Sequence, residues 1–170
     1  MDFTIDPAIH DFRRMVRSFI QENLPEEMRR RGERDFDSKE SDVRGWMRIL
    51  NARGWATPNW PEACGGVNWS PLQKFVFQQE LRRARAPVLD RVGTDLIGPV
   101  LCEFGTDAQR ARFLPRIQNG EDWWGQGFSE PDAGSDLASL KTRADLVGDA
   151  YVVNGQKIWT TCAQYAQWIF

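Results

Sequence analysis

The sequence predicts an α+β chain in which helices come first and strands follow. Up to about residue 121, apolar residues recur at helical spacing between capping and stop signals. Beyond Gly120 the pattern changes to short extended runs separated by turn residues. Segregation of the two kinds of element, rather than alternation, is the mark of an α+β arrangement. The expected organisation is a helical domain over 1–121 followed by a β domain over 122–170.

From Asp6, an Asp-Pro pair reads as a cap with proline at the first helical position, and Ile9, Phe12, Val16, Phe19 and Ile20 continue one apolar face. Between Pro25 and Glu40 the charges are mixed, with Glu26, Glu27, Glu33, Asp35 and Asp37 among Arg29, Arg30, Arg31 and Arg34. Opposite signs cancel locally, which fits a solvated helix end and loop better than a polyanion site. A second helix, capped by Ser41 or Asp42, runs through Trp46, Ile49 and Leu50 to a stop at Gly54. The segment WATPNWPEACGGVNWS is too broken by proline and glycine for a helix or strand, and its tryptophans anchor it as an ordered loop.

Pro71 then opens a helix carrying Phe75, Val76, Gln79 and Leu81, whose end is complemented by Arg82, Arg83 and Arg85 without need of a ligand. Two more helices are expected, about 94–104 and 106–119, separated by Gly105; Asp107 supports the start of the second and Pro115 bends or shortens its end. Strands are expected over 123–128, 141–147, 150–153 and 156–161, with Asn154-Gly155 as a two-residue hairpin turn between the last two. Ala166, Trp168 and Phe170 line one face of a further strand that the chain leaves without a partner, so the expectation is the front part of a longer protein.

Composition narrows the function classes. Lys and Arg number 22 against 24 Asp and Glu, a net charge of -2, which removes the electrostatic case for nucleic-acid binding. Hydrophobic residues at 41% and charged residues at 27% are those of a water-soluble globular chain. No apolar run approaches the roughly 20 residues of a transmembrane helix. The acidic start MDFTIDPAIHDF has no basic or continuously apolar region, so it is not a signal or transit peptide, and a cytoplasmic location is expected. Cys64, Cys102 and Cys162 are odd in number and lie far apart, which suits neither a metal pair nor a disulfide framework; small buried side chains are expected. His10 is the single histidine, which removes most zinc sites and any histidine-dependent triad.

The residues that carry chemistry lie in the second half. The segment QGFSEPDAGSD turns at a proline and a glycine, exposing successive backbone N–H groups and the hydroxyls of Ser129 and Ser135, which suits a polar or anionic ligand as well as a plain connection. It lacks a GxGxxG followed by a helix, so a Rossmann site has no support. In Ile158-Trp159-Thr160-Thr161 a tryptophan stands beside hydroxyls that suit a planar ring with heteroatoms, although a core tryptophan is the default reading.

Taken together, FSEPDAGSD, LASLKTRA and DAYVVNGQKIWTT strongly resemble the acyl-CoA dehydrogenase family, and PEACGGVNWS and FGTDAQRARFLPRIQNGE are similar to its helical domain. The resemblance spans nearly the whole chain. It implies an N-terminal helical domain over 1–121 and, over 122–170, the first part of a central β domain, an incomplete β-barrel-like unit, with the family's C-terminal helical bundle absent.

It further implies FAD as cofactor, with Gln126, Phe128 and Ser129 lining the flavin, Trp159 covering one face of its ring, Thr161 near its N5, and Thr160 also among the cofactor-binding residues. Ser135 would contact the acyl-CoA substrate. Gln126 stands where many relatives have an aromatic residue, Ser129 replaces Thr with its hydroxyl kept, Asp132 replaces Gly and adds a charge, and Thr160 replaces Ile. The looser likeness of WGQGFSEPDAGSDLASLKTRA is to relatives handling bulky or dicarboxylic acyl-CoAs.

The implied reaction is α,β-dehydrogenation to a trans-2-enoyl-CoA. A carboxylate takes the α-proton, hydrogen-bond donors hold the developing enolate, and the β-hydrogen leaves as hydride. In relatives the base lies in the C-terminal bundle, so no catalytic residue is expected in this segment, which alone should be inactive. An electron-transferring flavoprotein as acceptor and a homo- or hetero-oligomer are the implied partners. An acyl-CoA oxidase-like or flavin monooxygenase-like relative, or a non-catalytic subunit of a heteromeric dehydrogenase, are the alternatives.

Overall fold

The computed structural model describes residues 6–32 and 39–170. The chain forms two compact units, Met1–Asp122 and Trp123–Phe170. The first is helical and the second holds the strands, so the chain is α+β.

In the helical unit, α1 (Pro7–Asn23) starts as its sequence requires: Asp6 accepts a hydrogen bond from the Ala8 amide at 2.8 Å, with Pro7 at the first helical position. Its stripe of Ile9, Phe12, Val16 and Ile20 is buried, and the helix packs along α4 (Pro71–Arg83). Ser70 and Gln73 cap α4 reciprocally, the side chain of each accepting the other's backbone N–H.

The tryptophan-rich segment is an ordered loop, as expected, with one 3₁₀ turn at Glu62–Cys64. Trp55 and Trp69 enter the core with Phe12 and Phe77, with edge-on contacts of 5.0 Å for Phe12–Trp69 and 5.8 Å for Trp55–Phe77. Such pairs add about 0.5–1.5 kcal/mol each beyond buried area. They explain why a segment without regular hydrogen bonding stays fixed.

Several expectations require correction. The charged stretch contains a short helix, α2 (Glu26–Gly32), with no buried residue; Glu33, Arg34, Asp35 and Asp37 lie outside the described residues. Helix α3 (Glu40–Ala52) is capped by neither Ser41 nor Asp42, because its N-cap is Lys39. Asp42 is instead buried and held by both arms of the Arg31 guanidinium at 2.6 and 2.8 Å. That pairing outweighs the cost of burial and holds the Asp42 carboxyl below the usual range.

Residues Val92–Ile97 form a π-helical turn leading into α5 (Gly98–Phe104), where an ordinary helix was expected from about 94. Trp60 donates its indole N–H to the Thr94 carbonyl at 2.6 Å within this turn. Helix α6 (Asp107–Gln118) lies close to the expected 106–119 and runs through Pro115. Beyond the proline its carbonyl still accepts the Asn119 N–H at 3.0 Å, so only the bond that proline cannot donate is missing.

Glu80 of α4 is buried beneath α1. Burial alone would push its carboxyl up, but hydrogen bonds from Arg17 at 2.9 Å and Arg13 at 2.7 Å hold it below the ordinary value. Cys64 and Cys102 are only half-buried and Cys162 is exposed, so the expectation of buried thiols fails, in part for the first two and fully for Cys162. Burial and a hydrogen bond with Cys64 push the Cys102 thiol up to about 12.

In the second unit, β2 (Arg143–Val147) and β3 (Ala150–Asn154) form an antiparallel hairpin, while β1 (Trp124–Gly125) and β4 (Trp168–Ile169) pair in parallel. The hairpin turn is Gly148-Asp149, not Asn154-Gly155, and 156–161 is not a strand. Gly148 has φ +66°, and a two-residue hairpin with glycine first relies on that left-handed freedom. Gly155 is required for a different reason: a Cβ there would lie 2.1 Å from Thr142 Oγ1. The terminal aromatic run is not an unpaired edge. Strand β4 pairs with β1, Trp168 stacks on Trp124 at 6.0 Å, and Phe170 meets Phe128 edge-on at 5.7 Å.

Candidate functional site

The chemistry-bearing loop leaves β1 and is anchored where the Gly127 amide donates to the Phe170 carbonyl at 2.8 Å. It then reverses tightly, the amides of Glu130 and Ala133 each donating to the other's carbonyl at 2.7 and 3.1 Å. Pro131 and Asp132 occupy the exposed tip. A 3₁₀ turn, Leu137–Ser139, follows.

Glu130 organises the loop. Its side chain is 5% exposed and accepts the backbone N–H groups of Lys141 at 2.7 Å and Thr142 at 3.0 Å, and the Lys157 ammonium at 2.9 Å. Hydrogen bonds from Thr142, then from Lys141 and Lys157, hold its carboxyl well below the usual range, at about 2. Nothing in the sequence singles this residue out. No local pattern links positions so far apart along the chain.

Residues Phe128 and Ser129 are thereby tied to 157–158. Lys157 donates to the Phe128 carbonyl at 3.0 Å and the Ile158 amide to the Ser129 carbonyl at 2.9 Å. The two sequence segments singled out above therefore lie side by side.

Next along the chain, Trp159 is 86% exposed with φ +58°. This overturns the default reading of a core tryptophan. A bulky side chain in left-handed backbone, held open to solvent, is costly for the fold and points to a role outside it. Thr161 is exposed and Thr160 is half-buried beside Gly125, where a Cβ would lie 2.9 Å from the Thr160 methyl. Gln126 and Ser129 are half-buried and Phe128 is exposed. Ser135 is exposed and is tied to none of these residues by a hydrogen bond among the described residues.

These residues fit a planar, hydrogen-bonding heterocycle. The amides of Phe128 and Ser129 donate to no group among the described residues, although their carbonyls are engaged. An indole face, two N–H donors and nearby hydroxyls therefore remain for a ligand. No grouping of three or more metal-ligating side chains occurs among the described residues.

Residues 6–121 match the family model described as acyl-CoA dehydrogenase, N-terminal domain, and residues 125–170 match the acyl-CoA dehydrogenase, middle domain. Acyl-CoA dehydrogenase IpdE1 of Mycobacterium tuberculosis is 41% identical over 167 residues, covering 95% of this chain and 43% of that protein. The crystal structure of the ChsE4-ChsE5 complex from the same organism is similar at a TM-score of 0.80 and 35% identity, over 100% of this chain and 42% of that one. A structure described as the Tcur3481-Tcur3483 steroid ACAD gives 0.81 and 35%, over 99% and 44%. The chain spans less than half the length of these relatives.

Proposed function

The chain belongs to the acyl-CoA dehydrogenase family, and from that premise we propose that it supplies the flavin-facing part of an enzyme that converts an acyl-CoA thioester to a trans-2-enoyl-CoA, within a longer parent protein. The observation that carries the reading is the bond from the Ile158 amide to the Ser129 carbonyl, which sets an outward tryptophan beside a loop with unspent N–H donors.

In this reading FAD, when bound, accepts the hydride from the β-carbon. The amides of Phe128 and Ser129 and the Ser129 hydroxyl hold its polar edge, Trp159 covers a ring face, and Gln126, Thr160 and Thr161 complete the pocket wall. Ser135 stands on the same loop at an exposed position suited to the acyl-CoA. Glu130 acts on none of these molecules; it keeps the loop in place. The domain boundary proposed for this function is 121/122.

Likeness to a structure described as a steroid ACAD supports a bulky acyl group, and likeness to the ChsE4-ChsE5 complex supports a hetero-oligomer. An electron-transferring flavoprotein is the proposed electron acceptor. The test is anaerobic mixing of the FAD-loaded parent enzyme with ring-bearing and straight-chain acyl-CoAs. Flavin bleaching with enoyl-CoA appearing by mass spectrometry is the expected result. A flavin unchanged by every thioester would refute the reading.

A further inference from the structure

Helix α4 has an outer face that takes no part in the flavin reading. Lys74, Phe75, Gln78, Arg82 and Arg83 line a groove of about 460 Å³ between this face and Asn59 of the tryptophan-rich loop, wholly within the helical unit. Positions 74, 78 and 82 follow the four-residue step that sets side chains one above the other on a helix. Lys74 and Arg82 are thus the ends of a row that rises about 12 Å along the axis. Among the described residues no carboxylate lines the groove, and Lys74, Arg82 and Arg83 make no ion pair. Glu80, the acidic residue of the helix, is taken up by Arg13 and Arg17 of α1.

Two features of this face are not accounted for by the helix itself. Arg82 and Arg83 complement its carbonyl end, but Lys74 lies in the first turn, where the dipole disfavours a cation. Between the cations Phe75 is 62% exposed, and Leu72, its neighbour three residues earlier on the helix surface, is 49% exposed. Exposed apolar side chains flanked by unpaired cations gain from a partner that covers the one and neutralises the other.

We propose that this face of α4 docks an acidic segment of a partner protein, its carboxylates reaching Lys74, Arg82 and Arg83 and one apolar side chain covering Phe75. The length of the row suits a segment of chain, since one compact anion would not meet both ends. Single-stranded nucleic acid fits less well, because its bases stack on successive aromatic side chains and the groove offers only Phe75. The whole chain carries a net charge of -2, so an acidic partner is drawn to this patch rather than to the protein at large.

The test is fluorescence anisotropy on the wild-type protein with three labelled probes: a peptide of Glu residues around a single Leu, its counterpart with Ser for that Leu, and a single-stranded oligonucleotide of equal charge. Saturable binding of the Leu-containing peptide is expected. It should be roughly tenfold weaker in Arg82→Gln and in Phe75→Ser, the loss of one charge-assisted contact or of one covered ring. The Ser-containing peptide should bind the wild type more weakly and lose little further in Phe75→Ser. Arg48→Gln, which removes an exposed charge on α3, should leave the affinity unchanged. Absence of saturable binding, unchanged affinity in both Arg82→Gln and Phe75→Ser, an equal loss in Arg48→Gln, or tighter binding of the oligonucleotide would overturn the proposal.

Discussion

The Lys157 ammonium stands 2.9 Å from the Glu130 carboxylate and 3.0 Å from the Phe128 carbonyl, so one cation fastens the segment before Trp159 to the loop that carries Ser129. With two backbone amides on the same carboxylate, Glu130 becomes the point on which the candidate site is assembled.

Glu130→Gln should therefore loosen the strand-containing unit. The variant keeps the shape but loses the charge and one of the two acceptor oxygens, leaving a backbone N–H or the ammonium poorly met. A fall in melting temperature of about 4–8 °C, the shift that one ordinary interaction produces in a small domain, is expected by near-ultraviolet circular dichroism. An unchanged transition would remove Glu130 from this role.

The same clamp predicts a direction with pH. The Glu130 carboxyl is lowered from 4.5 to about 2 in the folded chain, so the unfolded chain takes up its proton first as pH falls. Its stabilising contribution is fully present above about 4.5 and is lost progressively as pH drops towards 2. Acid titration followed by tryptophan fluorescence should place part of the unfolding within that window in the wild type and not in Glu130→Gln.

Thiol reactivity should follow environment. The exposed Cys162 is expected to be alkylated first, while Cys102, pushed up to about 12, stays protonated at neutral pH and reacts last. Peptide mapping after a short iodoacetamide pulse reads the order directly, and early modification of Cys102 would contradict it.

Residues 1–170 mixed with FAD and acyl-CoA should not bleach the flavin. The buried carboxylates of Asp42, Glu80, Asp122 and Glu130 are each held by arginine or lysine. A carboxylate bound in this way is a poor acceptor for a weakly acidic C–H proton. Anaerobic spectra with several acyl-CoAs check this, and substrate-dependent bleaching would require a base within the segment.

Much of the helical unit was legible because its signals are local. Asp6-Pro7, the stripe from Ile9 to Ile20, and Gly54 each act within a few residues of themselves. Long-range partners were not legible. Asp42 looked like a cap because nothing nearby announces Arg31, and Gly155 looked like a turn residue because its real constraint is the approach of Thr142. The Trp168 strand looked unpaired because its parallel partner at Trp124 lies far back along the chain. At the candidate site the motif pointed to the loop and to Trp159, but the Glu130–Lys157 link joining them appears only in three dimensions.

The measurement that bears most directly on the central claim is FAD titrated into wild-type parent protein and into Trp159→Ala, followed by the flavin spectrum. Because Trp159 is 86% exposed, its removal costs the fold little buried surface, and a change in binding reports on the ligand. Affinity is expected to fall about fivefold, corresponding to roughly 1 kcal/mol of aromatic stacking, with a shifted flavin absorption band. Equal affinity and superimposable spectra would contradict the assignment of Trp159 to the flavin.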